Sequence, residues 1–367
     1  MIYIIIGLVV FVSVFYLMIT EKVPQAWATM IGGLIMALIG IINEEDALEA
    51  VSERLEILFL LIGMMIIVHL VSETGVFQWF AIKVAQLVRG EPFRLVVLLA
   101  VVTALCSAFL DNVTTILLMA PVSILLAKQL KLDPFPFVIT EVMSANIGGL
   151  ATLIGDPTQL IIGAEGNLGF NSFLLNTAPM SIIAMIILIA NVYIIYGRHM
   201  VVSNELKARI MELDSSRSLK DQKLLQQAAV IFALVLVGFI LNNFINKGLA
   251  IISLSGAIFL VIIAKRNPKE ILEHVEWETL FFFIGLFMMI RGIENLNIIN
   301  IIGDRIIHLT EGKFDMAVIA VTWLSAAFTS IIGNVANAAT VSKILGVMVP
   351  SFDGLGNTQA FWWALSF

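Results

Sequence analysis

The chain has 367 residues, of which 60% are hydrophobic and 13% charged, and its mean hydropathy is +1.01. Soluble domains carry about 25% charged residues, so water is excluded as its main solvent, and an all-α polytopic membrane protein is expected. The net charge of −6 is thinly spread and points to no nucleic-acid partner, while a single cysteine, Cys106, excludes an internal disulfide and any thiolate-cluster metal site.

The first apolar run, residues 2–20, is expected to span. It is no cleavable signal peptide, because it lacks a basic start and ends in Met18, Ile19, Thr20 and Glu21 rather than small residues. Apolar runs follow at 24–42 and 57–72, close to the ~20 residues a bilayer requires, with an acidic stretch at 44–56 between them. Residues 76–88 are helical in pattern but short and amphipathic, as in a helix lying along the cytoplasmic surface.

Two places then break the apolar pattern. Runs 95–105 and 116–126 hold about eleven residues each, too few to span alone, and enclose CSAFLDNVTT at 106–115. A re-entrant hairpin with a polar tip is expected. Asp111 would lie at membrane depth, where an ionised carboxylate costs at least ~2.5 kcal/mol unless a cation or proton accompanies it. Ser107, Asn112, Thr114 and Thr115 offer oxygens beside it; the plainer alternative is a buried helix-capping Asp–Asn pair. The second break is 144–163, SANIGGLATLIGDPTQLIIG. Its glycines and proline unwind helix and free carbonyls, which a bilayer tolerates only where they line a cavity or bind something. Oxygens of Asn146, Thr152, Asp156 and Thr158, with the backbone around Gly148, Gly149 and Gly155, suit a small cation, and the half-helix start after Pro157 suits an anion. The alternative is a glycine-rich packing seam. Glu141, just upstream, is a candidate proton carrier unless it snorkels to an interface.

An apolar run at 172–196 closes a first repeat, 1–196. The polar linker 197–223 follows, with Arg198, Lys207, Arg209, Arg217, Lys220 and Lys223. A second repeat, 224–367, has apolar runs at 225–244, 248–264 and 279–290. LEILFLLIG at 55–63 recurs as WETLFFFIG at 277–285, and Asn112–Val113 recur as Asn334–Val335, both at an offset of 222 (285 against 63, 334 against 112). In TSIIGNVANAAT, 329–340, the position of Asp111 falls to Gly333, leaving Asn334 and Asn337 as neutral ligands. Basic residues mark cytoplasmic loops. With the N-terminus outside, fifteen lie inside (Lys22; Lys83, Arg89, Arg94; Lys128, Lys131; the six of 197–223; Lys265, Arg266, Lys269) and four outside (Arg54, Lys247, Arg305, Lys313). Arg291 and Lys343 fall in apolar segments. Two inverted-topology repeats with re-entrant hairpins and broken helices are thus expected, with loop 197–223 cytoplasmic and a transport site near the bilayer midplane. His69, His199, His274 and His308 show no paired metal-ligand spacing and are read as interfacial.

With these residues the chain resembles the arsenite-permease and P-protein branch of the ion transporter superfamily, which also contains the Na⁺/H⁺ antiporter NhaD and, more distantly, divalent anion/sodium symporters. The most specific parts are SAFLDNVTTILLMAPV (107–122) and the 144–163 motif. The resemblance implies that Ser107, Asp111, Asn112 and residues 146–158 line the transport site. It also implies a scaffold domain that forms a homodimer and a transport domain that moves. Thr158–Gln159 departs from the Pro–Asn usual there. By register Phe367 matches Ala145, so a second glycine-rich loop is missing and a truncated chain that inserts without transporting is expected.

The sequence reads as a secondary transporter of a small ion or oxyanion in a bacterial-type inner membrane, of the arsenite-permease type (arsenite, antimonite or another anion) and coupled to a proton or ion gradient. No cofactor is expected, and no metal beyond a transported cation. With no ATP-binding loop, energy comes from a gradient or a separate ATPase subunit. The rivals are a Na⁺/H⁺ antiporter, an intramembrane enzyme, for which no H-E-x-x-H or Ser–His arrangement is present, and a membrane receptor or scaffold that transports nothing.

Overall fold

The computed structural model describes residues 2–20, 22–197, 200–245 and 247–367, without the side chains of Arg209 and Asn243. Arg198 of the linker and His199 lie outside the described residues. A chain in lipid must satisfy its backbone within each segment, and the described residues form twenty α-helices and no strand. In chain order these are α1 (Ile2–Ile19), α2 (Gln25–Leu38), α3 (Glu44–Ser52), α4 (Leu55–Glu73), α5 (Val76–Leu87), α6 (Pro92–Ser107), α7 (Asn112–Gln129), α8 (Phe135–Gly149), α9 (Pro157–Glu165) and α10 (Phe170–Ile195). They continue with α11 (Asn204–Met211), α12 (Gln222–Ile240), α13 (Asn242–Ile245), α14 (Leu249–Ile263), α15 (Pro268–Glu273), α16 (Trp277–Asn295), α17 (Ile298–Leu309), α18 (Phe314–Ile332), α19 (Asn334–Met348) and α20 (Gln359–Ser366).

Among the described residues seven helical stretches are long and apolar enough to cross a membrane: α1, α4, α7, α10, α12, α18 and Asn334–Phe352. The pair α16–α17, bent by 68°, makes an eighth. On α10, Ile182, Ile186 and Ile194 are more than 60% exposed, an apolar face of the kind that lipid covers. This is an integral membrane protein. The hairpin arms are longer than the apolar runs suggested. Thr, Ser and Gln are accommodated within the helices, so α6 and α7 reach 16 and 18 residues, about 24 and 27 Å.

The helices pack as two compact units: Met1–Leu61, Thr158–Leu168 and Val275–Phe367 form unit 1, and Ile62–Pro157 and Gly169–His274 form unit 2. Each unit therefore combines segments from both halves of the sequence, a division by packing that differs from the expected division at 196 and 224. Helix bounds recur at the offset of 222: α4 and α5 match α16 and α17 end to end, and α6 and α7 start where α18 and α19 do. Partners are exchanged between the halves. Within unit 1, α16 lies on α2 so closely that a Cβ on Gly285 would stand 2.3 Å from the backbone nitrogen of Met30. Within unit 2 the equivalent Gly63 of α4 faces α14, where a Cβ would stand 2.7 Å from the nitrogen of Leu254. Small residues let backbones approach in this way where lipid supplies no hydrophobic driving force.

Candidate transport site

In unit 2, α6, α7 and α8 pack together, and both polar breaks lie at the junctions of these helices. Helix α6 ends at Ser107, four residues turn, and α7 starts at Asn112. Asp111 sits in extended backbone before α7, and its Oδ1 accepts from the backbone N–H of Thr114 at 2.8 Å. That satisfies one of the donors orphaned at a helix start, so the capping role weighed in the sequence is real. The side chain that reaches across is the next one. Asn112 Nδ2 donates to Asp156 Oδ2 at 2.6 Å and to Asn146 Oδ1 at 3.1 Å. Ser107 Oγ lies 2.6 Å from Asn112 Oδ1 and 2.8 Å from the carbonyl oxygen of Ala145. A hydroxyl has one proton, so it serves one of these acceptors at a time.

The second break has the expected form. Helix α8 ends at Gly149, residues 150–156 run without helix, and α9 restarts at Pro157, whose fixed φ suits a first helical position. Bare backbone is required here. A Cβ on Gly148 would stand 2.1 Å from the carbonyl oxygen of Ala104 on α6, and one on Gly149 would stand 2.4 Å from Asn112 Oδ1. The Thr152 hydroxyl donates to the carbonyl of Ala108 in the hairpin turn. Gly155 is held near the carbonyls of Gly149 and Ser107. Asp156 is buried, Asn112 half-buried and Asn146 exposed. The tip and the unwound loop are thus one polar cluster, knit by the Asn112 amide.

Other candidates sit apart from it. Thr114 is half-buried; the Thr115 hydroxyl is buried with no hydrogen-bond partner among the described residues. Thr158 is buried at the start of α9 in unit 1. Asn334 is exposed, while Asn337 is buried and donates to Ser325 Oγ at 2.7 Å. Gly333, at the position of Asp111, has φ 85° and caps α19 without a side chain. Glu141 does not snorkel: it is 1% exposed, and Oε1 accepts from Ser123. His69 and His274 stack at 3.9 Å in unit 2, with Glu73 beside His69 at 3.2 Å. No group of three or more His, Cys, Asp or Glu able to hold a metal is found among the described residues.

Sequence reasoning missed a closed ring of alternating charges in unit 1. Arg54 pairs with Glu165, Glu165 with Lys343 (3.2 Å), Lys343 with Glu294 (3.2 Å), Glu294 with Arg291 (3.9 Å), Arg291 with Glu53 (3.5 Å) and Glu53 with Arg54 (3.4 Å). Glu49 adds a second partner to Arg291 at 2.6 Å. The signal was the two cations in apolar segments, Arg291 and Lys343, each of which needs a counter-charge there. Also missed was the pairing of Gln159 with Ser366, whose hydroxyl donates to Gln159 Oε1 at 2.6 Å.

Residues 15–367 match the family described as "Citrate transporter". Among curated relatives, the 46 kDa membrane protein of Mycobacterium leprae is 36% identical over 99% of this chain and 85% of its own length. An uncharacterized transporter of Mycobacterium tuberculosis is 33% identical over the same shares. The P protein of Sus scrofa is 32% identical over 93% of this chain and 50% of its own length. The whole-length match to the family, carried on a helical chain with at least seven spanning stretches, makes this protein a member of the citrate transporter family of membrane transporters.

Proposed function

We propose that this chain is a gradient-driven secondary transporter of arsenite-permease type and not an enzyme, binding a small oxyanion at Ser107, Asn112, Asn146 and Asp156. The observation that carries the reading is the Asn112 amide, which bridges the hairpin tip and the unwound loop. A substrate entering between them replaces internal hydrogen bonds with its own. The cluster offers a hydroxyl, amide N–H groups, amide oxygens and one carboxylate, but no Lys or Arg. Such a set suits a small hydroxylated species, neutral or singly charged, which can both donate and accept, as arsenite and antimonite can. A polycarboxylate such as citrate would bring several negative charges to the Asp156 carboxylate, a repulsion that a complex with a cation reduces. Na⁺/H⁺ exchange is the second reading, favoured by the carboxylate set among neutral oxygens that suit a hard cation.

In this reading the repeats are inverted and the N-terminus lies outside. Loop 197–223 is cytoplasmic, the membrane is a bacterial-type inner membrane, and the working form is a homodimer, alone or with an ATPase subunit. Uptake of arsenite, of Na⁺ and of citrate with and without a divalent cation, measured in proteoliposomes with an imposed pH gradient, separates the readings. Asn112→Leu and Asp156→Asn should each abolish the uptake that the wild type shows. Wild-type rates in both variants would refute the site.

A further inference from the structure

Helix α8 carries a second buried polar position one turn from the cluster. Glu141, Ala145 and Gly149 share the buried face of α8, and four residues of helix rise about 6 Å. The carbonyl of Ala145 is the one that Ser107 approaches, so the Glu141 carboxyl and the cluster are neighbours on one rigid element. Oε1 accepts from Ser123 of α7, itself fully buried, and Oε2 has no hydrogen-bond partner among the described residues. No ion pair to it is found among the described residues. On the elements packed against α8, which are α6, α7 and α10, the charged or titratable groups are Arg94, Cys106, Asp111, Lys128 and Tyr193. Arg94, Lys128 and Tyr193 are exposed, Cys106 is half-buried, and Asp111 is engaged as the cap of α7. α8 itself has no other titratable side chain.

A carboxylate in that setting would keep a bare, desolvated oxygen, whereas the acid form needs no counter-charge. We infer that Glu141 is the binding site of the coupling proton, with the proton on Oε2 and Ser123 as the positioning residue that holds Oε1. The inference rests on the proposed transporter reading and adds the identity and position of its coupling ion. Binding is a plain protonation: the carboxylate takes a proton from water in the conformation that wets it and returns it to water on the other side, with no other bond changed. Proton and substrate therefore have separate sites, linked by one turn of α8. A Na⁺ ion at the same place would find only the Glu141 and Ser123 oxygens among the contacts described, too few for a hard cation.

The experiment uses the full chain in proteoliposomes. In infrared difference spectra over a pH titration, the wild type should show the carbonyl stretch of a protonated carboxylic acid at neutral pH. Glu141→Gln should lack that band, and Ser123→Ala should keep it at a shifted frequency. A wild-type spectrum without the band, or a band displaced by Na⁺ at constant pH, overturns the proposal even if Glu141→Gln fails to fold. With arsenite as probe, one coupled proton and a gradient of about one pH unit should accumulate substrate about tenfold. Glu141→Gln should accumulate none while still exchanging labelled for unlabelled arsenite at equal pH. Undiminished accumulation in Glu141→Gln overturns the proposal. If the band titrates as expected but the wild type moves no arsenite, the substrate reading fails and the proton site stands.

Discussion

Replacing Gly148 by alanine tests the packing that creates the site. The added methyl would stand 2.1 Å from the oxygen, 2.6 Å from the Cα and 2.7 Å from the carbonyl carbon of Ala104, and ordinary contact begins at 3.4 Å. Backbone cannot rotate out of the way as a side chain can, so α8 must withdraw from α6 by about 1.3 Å at this level. Overpacking of a core typically costs 1–3 kcal/mol; three close backbone contacts place this substitution near the upper end, at about 3 kcal/mol. The same movement pulls the carbonyl of Ala145, now 2.8 Å from Ser107 Oγ, to the edge of hydrogen-bond range or beyond, and draws Asn146 from Asn112. Thermal unfolding of the purified protein in detergent, followed by tryptophan fluorescence, should show a lowered midpoint for Gly148→Ala. Uptake should fall further than the surviving folded fraction explains. The control is Gly346→Ala inside α19, where a Cβ meets nothing within 4 Å and the gain in helix propensity is up to about 1 kcal/mol. An unchanged midpoint and unchanged uptake for Gly148→Ala would mean that α6 and α8 do not cross at this point.

Two further substitutions probe the cluster and the charge ring. Asn112→Asp places a second carboxylate beside Asp156, and like charges at that distance favour sharing a proton. Uptake should be lost near neutral pH and partly return as the pH falls, and a flat pH profile would count against direct contact. Lys343→Met leaves Glu165 and Glu294 each short of one partner, at side-chain exposures of 19% and 26%. Breaking a buried pair costs about 3–5 kcal/mol, so about 3 kcal/mol is expected at this partial exposure. Adding Glu294→Gln should recover part of it, because Glu165 keeps Arg54 and Arg291 keeps Glu49 and Glu53. The unfolding midpoints of the single and double variants check both statements.

The helices were legible because lipid allows an apolar run few other forms. Polar residues inside an apolar span likewise marked where α6 gives way to α7 and where α8 gives way to α9. The weight given to Asp111 over Asn112 was not resolvable from composition. A carboxylate before a helix can cap it or bind a ligand, and only the direction of the side chain separates the two. Helix lengths in the hairpin were read short because apolar runs stop at Thr and Ser, whereas helices do not. The charge ring joins residues as far apart as Arg54 and Lys343, so the sequence could announce only that two cations needed partners. The exchange of packing partners between halves was invisible, since periodicity states which face is buried and not what buries it.

At the offset of 222, Asp111 corresponds to Gly333, Thr103 to Ser325, Thr115 to Asn337 and Pro121 to Lys343. In the first half the Thr103 and Thr115 hydroxyls are buried without partners among the described residues. In the second half their counterparts bond to each other, Asn337 donating to Ser325. Where α7 has a proline, α19 has the lysine that closes the ion-pair ring. One backbone plan therefore carries two polar programmes. The first half leaves the Thr103 and Thr115 hydroxyls open, which is costly in lipid. The second half pairs the Asn337 amide N–H with Ser325 and ties α19 into a charge ring through Lys343, while Asn337 Oδ1 stays buried without a partner among the described residues. Helices with matching bounds and identical side chains would present the same chemistry twice. Here the difference falls at the residue before α7 and α19 and within those two helices, so equivalent backbone positions carry different polar chemistry.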